Sequence, residues 1–331
     1  MRSIKLPSWI ERLAGLTPQS APPHVFLLEP DRLAYGRCRS PQKSGESFVL
    51  EAFEAVELPP ELFAPGLLGG PARDEEALHN ALRSLLARLP SPPPRASLVL
   101  PDAWLRLAFA ETNELPGDEA ARTQMMRWLL KRVVPFRVDE LRVRGVEVAS
   151  LAGQEQPLRL LLGFALEELL AQMERLFADE KVRLGRVVNV SQALLAALLG
   201  DSGGGVTGLA LVQDDGYTLL FAHGGEPVLH RYKASEAGLP LDARRRLVQR
   251  DLKLTRTFLE EHLPQTSLDR VLLLATDEQR GAAWAEWLEE SLGAPVQGLD
   301  ASHLAPLGFA TSARSWLDVA PVLGASRQEV A

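Results

Sequence analysis

Arg127, Trp128, Lys131 and Arg132 fall within one short basic-aromatic run, RWLLKR, and Phe136 follows shortly after. On a helix Trp128 and Arg132 share a face, which suits gripping a partner, although a basic edge on a core helix has the same pattern. The 6 histidines (His24, His79, His223, His230, His262 and His303) show neither H-x-x-x-H nor H-E-x-x-H spacing, so zinc-dependent hydrolysis has no anchor. His223 and His230 lie on either side of a turn, where paired histidines read as solvated surface rather than ligands. No G-x-S-x-G nucleophile elbow and no G-x-x-x-x-G-K-S/T phosphate loop occurs. The runs GGG (203–205) and GG (224–225) lead into strands, so they read as linker and hairpin turn. Asp214, Asp215 and Gly216 stand between two apolar runs and read as a tight hairpin turn.

Alternating strands and helices must position these groups. HVFLLEP (24–30) and SFVLEAFEAVEL (47–58) read as strands around a polar turn. DEEALHNALRSLLARL sets Leu78, Leu82, Leu85, Leu86 and Leu89 at helical spacing behind an acidic first turn. RASLVLP (95–101) has the continuous apolar character of a buried strand. Extended WLRLAFAE, a helix from about Asp118 to Val133 and alternating LRVRGVEV then predict an inserted α+β unit over 102–165. Strand PLRLLLGFA, helix EELLAQMERLFADE, strand RVVNV and helix SQALLAALLG precede DSGGG (201–205), a candidate hinge.

The second half restarts the plan. GLALVQ (208–213), YTLLFAHG and PVLHRYK read as strands, followed by a helix from about Asp242 to His262, strand RVLLLAT, a helix carrying Trp284 and Trp287, and a strand near PVQGL. The tryptophan pair suits packing, and DARRRLVQRDL (242–252) is a positive helix, either salt-bridged surface or a contact for an acidic partner. Duplicated α/β halves predict two lobes with ligand space between them. Residues 1–21 read as an amphipathic appendage, with Ser8 and Glu11 at capping-box spacing and Trp9, Ile10, Leu13 and Leu16 on one face. The expected division is 1–21 appendage, 22–101 first lobe, 102–165 insertion, 166–205 rest of the first lobe and hinge, and 206–331 second lobe.

Composition narrows the classes. With 331 residues and 46% hydrophobic content the chain can fill two cores. Its single Cys38 excludes an internal disulfide and fits a reducing compartment, with cytoplasm as the expectation. A formal charge of -7 disfavours a general nucleic-acid surface. No run is apolar enough to span a bilayer, and the N-terminus lacks the apolar core of a secretory signal.

Three stretches, PPHVFLLEPDRLAYGR, SLVLPDAWLRLAF and MRWLLKRVVPFRVDE, together with the closing ATSARSWLDVAPVLGA, resemble the type IV pilus assembly protein PilM family. The resemblance runs from about residue 22 onward and implies a two-lobed actin-like α/β fold with an inserted α+β subdomain, as in the cell-division protein FtsA. It implies a cytoplasmic scaffold of the pilus inner-membrane platform that binds the N-terminal peptide of a PilN-like membrane protein, and it allows contacts with pilus motor ATPases. The peptide groove it implies lies between the insertion and the first lobe, with Arg127, Trp128, Lys131, Arg132 and Phe136 around it. The alternative is an active actin-like ATPase of a pilus or of a type II secretion system.

Active actin-like ATPases carry two Asp-X-Gly turns for Mg²⁺ and phosphate and a late Gly-Gly pair for adenosine. This chain departs at all three: Glu29, Pro30 and Asp31 occupy the first turn, Gln213, Asp214, Asp215 and Gly216 the second, and Thr276 with Asp277 replaces the glycine pair. Pro30 has no N–H to offer phosphate, and two carboxylates repel it. Charge-assisted hydrogen bonds contribute about 1.5–3 kcal/mol each, so three lost contacts remove about 5–9 kcal/mol. Micromolar affinity corresponds to only about 8 kcal/mol, so the expectation is no bound ATP or Mg²⁺ and no turnover.

Overall fold

A computed structural model describes residues 22–39, 48–64, 66–151, 157–198, 204–213, 216–235, 241–275, 278–299, 309–310 and 316–326. The N-terminal appendage and the start of the glycine-rich hinge lie outside the described residues. No helix among the described residues is long and apolar enough to cross a membrane.

The first lobe is a six-stranded sheet in the order β14-β3-β2-β1-β4-β8. Its strands are β1 (His24–Leu28), β2 (Arg32–Arg39), β3 (Phe48–Glu57), β4 (Arg95–Leu100), β8 (Arg183–Asn189) and β14 (Phe309–Ala310). The first three form an antiparallel meander, and β4 and β8 add on in parallel beside β1. Parallel strands are covered on both faces and read as near-continuous apolar runs, as RASLVL in β4 does, with all but its first residue buried. Helices α1 (Glu75–Ala87), α3 (Glu167–Asp179), α4 (Val190–Leu198) and α7 (Trp316–Ser326) belong to this lobe. Phe26 of β1 meets Phe177 of α3 edge to face at 4.9 Å.

The second lobe is a five-stranded sheet in the order β11-β10-β9-β12-β13. It comprises β9 (Val206–Val212), β10 (Gly216–His223), β11 (Glu226–Ala234), β12 (Leu268–Ala275) and β13 (Val296–Gly298), with α5 (Leu241–His262) and α6 (Glu278–Leu292) packed together. Trp284 and Trp287 are both buried in its core, and Trp284 packs on Tyr217 at 4.8 Å. In both lobes the core order is third, second, first, fourth, fifth, with antiparallel pairing in the meander and parallel pairing thereafter.

The insertion is a three-stranded antiparallel sheet, β5-β7-β6, built from β5 (Arg106–Thr112), β6 (Leu141–Val148) and β7 (Leu158–Leu166), with α2 (Glu119–Lys131) on one face. Strand alternation sorts its side chains. Leu141, Val143, Leu160 and Leu162 share a cluster with Met126, Leu129 and Leu130 of α2. Val146, Val148, Leu161 and Ala165 join the first lobe's core instead.

One expectation needs correction. The chain does not remain in the second lobe to its end: β14 pairs with β3, and α7 packs on α4, β1 and β2 of the first lobe. The insertion touches the second lobe as well as the first. Arg159 of β7 donates to Pro227 and Val228 carbonyls of β11, Arg106 reaches the Tyr232 carbonyl at 3.4 Å, and the Ala149 amide donates to Glu226 at 2.8 Å. Arginines, whose long stems carry five donors, bridge the two elements where no strand ladder forms.

Candidate functional site

The face of the insertion's sheet turned away from α2 looks onto β8. Between them runs a groove of about 210 Å³, bordered by Arg142 and Arg144 of β6, Ala165 of β7, Leu184 of β8, Leu105 and Gln192. Among the described residues β8 and β6 are each the last strand of their sheet, so each presents an edge with only one neighbour. Edge strands offer backbone N–H and C=O groups to any extended segment that aligns with them. Arg142 donates to Glu167 at 3.0 Å and to Glu174 at 3.1 Å. Hydrogen bonding to Glu167 first, and to Glu174 second, raises the Arg142 pKa, and the same guanidinium holds Glu167 below the usual carboxylate range. Among the described residues Arg144 has just a loose partner, Glu119 at 3.9 Å, and is the more available cation.

The residues expected around this groove do not meet there. Arg127 donates to the Leu141 carbonyl at 3.2 Å and so ties α2 to β6. Trp128 is 58% exposed on the outer face of α2, with the Arg132 guanidinium 5.1 Å above its ring. Lys131 is exposed as well. Phe136 is half-buried against Phe164 at 6.3 Å, under the Arg106 guanidinium. The reason is the sheet itself: α2 covers one face and the groove lies on the other, so a side chain on the outside of α2 cannot reach it.

Sequence reasoning missed a buried polar cluster between the lobes. Asp102, at the end of β4, accepts the Ser191 amide at 3.1 Å and the Ser191 hydroxyl. The same hydroxyl lies 3.1 Å from His230 Nε2, so β11 of the second lobe is joined to the start of α4. All three residues are buried, which corrects the reading of His230 as solvated surface. A Ser-His-Asp catalytic arrangement needs the carboxylate on the histidine's second nitrogen. Here the carboxylate binds the serine, and His230 Nδ1 has no hydrogen-bond partner among the described residues. The cluster is a joint between lobes rather than a nucleophile. Nor does His230 face His223 across the hairpin, since His223 pairs with Glu226 and His230 with Leu220.

The residues that flank the two turns expected at the cleft pair with each other. Glu29 and Arg32 exchange backbone hydrogen bonds at 2.8 and 3.4 Å, and Arg32 Nε donates to the Glu29 carboxylate at 2.7 Å. Asp31 is exposed, and its carbonyl accepts the Leu58 amide. In the second lobe the Gln213 amide donates to the Gly216 carbonyl at 2.9 Å, closing the β9-β10 hairpin. Any Cβ at position 216 would come within 2.4 Å of the Lys233 carbonyl, which is why glycine stands there. Asp214, Asp215 and Thr276 lie outside the described residues, as do the other residues of the late strand's following turn up to Asp277.

No protein-family model matches the chain, and no curated protein matches its sequence. Among solved structures, a chain of the "PilM-PilN type IV pilus biogenesis complex" superposes with a TM-score of 0.66 at 17% identity, over 94% of this chain and 98% of that one. The chain has an actin-like fold. A Bacteroides thetaiotaomicron protein with actin-like ATPase fold and unknown function matches less closely, at a TM-score of 0.48 and 10% identity over 83% of this chain and 90% of that one. The cytoplasmic domain of EpsL, an inner-membrane component of the type II secretion system of Vibrio cholerae, gives 0.45 at 11% identity over 91% and 93%.

Proposed function

We propose that the protein is a cytoplasmic scaffold of the type IV pilus inner-membrane platform that captures the N-terminal peptide of a PilN-like membrane protein and does not turn over ATP. The likeness to the chain from the PilM-PilN complex supports the setting. The observation that carries peptide capture is the pair of strand edges, β8 and β6, bordering one groove. A peptide laid along β8 would gain main-chain hydrogen bonds, while alternate side chains enter the groove toward Leu105 and Leu184 or reach out to Arg144. The self-closed first turn, with Pro30 and the Glu29–Arg32 pair, supports the absence of turnover.

The test is fluorescence anisotropy with a labelled peptide from the cytoplasmic N-terminus of a PilN-like inner-membrane protein. Anchor residues carry most interface energy, so Leu184→Asp or Arg144→Glu is expected to cost about 2 kcal/mol, roughly thirtyfold in affinity. Trp128→Ala, on the far side of the sheet, is expected to bind as wild type. Unchanged binding in both groove variants would remove β8 as the docking edge.

A further inference from the structure

A second and larger cavity, of about 470 Å³, opens between the insertion and the second lobe. It opens at the β5 end of the insertion's sheet, shares no lining residue with the groove along β8, and contains none of the turns expected at the nucleotide cleft. Its walls come from β5, β7 and α2 on one side and from β11 and α5 on the other. The volume is that of a metabolite site, about 300–1,000 Å³, rather than of a packing defect.

Charge sets this cavity apart. Arg132, Arg159 and Arg231 line it, and among the described residues none of the three has a carboxylate within ion-pair distance. Arg132 stacks on Trp128, Arg159 lies over the Phe109 ring at 4.0 Å and donates to β11 carbonyls, and Arg231 reaches Thr255 Oγ1 at 3.3 Å. His230 and His262 add imidazoles, and Glu111 at the rim is the one acidic lining residue. Burial outweighs the opposing pull of Glu111 and Glu226 and lowers the Arg159 pKa to about 10, so this cation is held at a cost that a bound anion would offset. Three arginines without an ion pair among the described residues border one space in a chain whose formal charge is -7. The rest of the lining is apolar, chiefly Phe109, Leu129, Val133, Leu151 and Phe258.

We propose that this cavity binds a small organic anion, a carboxylate or phosphate carried on an apolar body. The acidic group sits among Arg132, Arg159 and Arg231, and the body lies against Phe109 and Phe258. A strand-like peptide is the poorer occupant. Parts of β5 and β11 already approach each other closely, and Arg159 and Arg106 occupy the β11 carbonyls that an added strand would use. The ligand touches both the insertion and the second lobe, so its binding fixes the angle between them. The proposal does not depend on the peptide groove or on the pilus assignment.

The experiment uses the full chain and anilinonaphthalene sulfonate, an apolar aromatic anion, as fluorescent probe, with competition by pyrophosphate and by citrate. One saturable site is expected. Arg132→Ser and Arg231→Gln should each weaken the probe about tenfold, the effect of losing one charge-assisted hydrogen bond. Glu111→Gln, an exposed change that removes the opposing charge, should tighten it severalfold and guards against misreading a variant that has merely loosened. Displacement by pyrophosphate alone assigns a phosphate ligand, and displacement by citrate alone or by both assigns a carboxylate-tolerant one. Arg246→Gln, on the exposed face of α5, should change nothing. Equal weakening by Arg246→Gln, unchanged affinity in all three cavity variants, or displacement by neither acid would overturn the site.

Discussion

Asp102, Ser191 and His230 join the lobes at a point that excludes water, and this sets what their loss should cost. Asp102→Ala leaves the Ser191 amide without its acceptor at a fully buried position, while the hydroxyl keeps Asn189 and His230 within reach. An orphaned buried donor costs about 1–3 kcal/mol, so urea midpoints should fall accordingly, and Asp102→Asn, which keeps an acceptor oxygen, should recover part of the loss. Glu167 behaves differently because it is half-exposed and charged. Its folded pKa is depressed below the ordinary 4.5 by Arg142, so its contribution is present above the unfolded value and lost as pH falls through the folded one. The stability gap between wild type and Arg142→Met should therefore be constant near neutrality and shrink below about pH 4.5, as followed by urea titrations across pH. Glu167 and Arg142 could be seen in the sequence only as charges on separate elements, 25 residues apart. The burial of His230 was equally illegible, because it depends on α4 of the other lobe arriving against β11.

At the scale of elements the sequence was far more informative. Asp118 and Asp74 stand where each helix was expected to start, and both cap it, accepting the Ala121 amide at 2.8 Å and the Ala77 amide at 2.9 Å. Asp74→Ala should cost about 1 kcal/mol of stability, measured by thermal or urea unfolding, without altering peptide binding. Helical periodicity also located Leu78, Leu82, Leu85 and Leu86 on the buried side of α1. It could not say which face of the insertion's sheet α2 would cover. Both faces of β6 and β7 carry apolar residues, so the pattern fits α2 on either side, and Trp128 and Phe136 were assigned to a groove from which the sheet separates them. Edge strands pose the same difficulty. That β8 has β4 on one side and only the groove on the other follows from the sheet order, which no local pattern encodes.

For the molecule as a whole, the repeated lobes were legible as a repeated order of strands and helices, and the resemblance, from about residue 22 to the closing ATSARSWLDVAPVLGA, implied the fold. The expected absence of nucleotide is best tested here, because a ligand stabilises by RT ln(1 + [L]/Kd). With Kd beyond the millimolar range, 1 mM Mg-ATP should raise Tm by less than about 1 °C; a micromolar Kd by calorimetry, or turnover abolished by Asp215→Ala, would reinstate the ATPase alternative. What the sequence concealed was the path of the final segment. Residues 309–310 complete the edge of the first sheet, and α7 presses so closely on β2 that a Cβ at Gly36 would lie 2.3 Å from Val322. The second lobe is therefore inserted into the first. A ribosome emitting this chain at about 5–20 residues per second releases all of the second lobe before the first can close, which reverses the usual sequence of N-terminal domain first. A nascent chain stalled with residues up to 299 outside the tunnel should already bury Trp284 and Trp287, while the β1 to β4 sheet remains open to protease until α7 emerges. Gly36→Val, which blocks the seat of α7, should leave that lobe in its nascent state even in the finished protein.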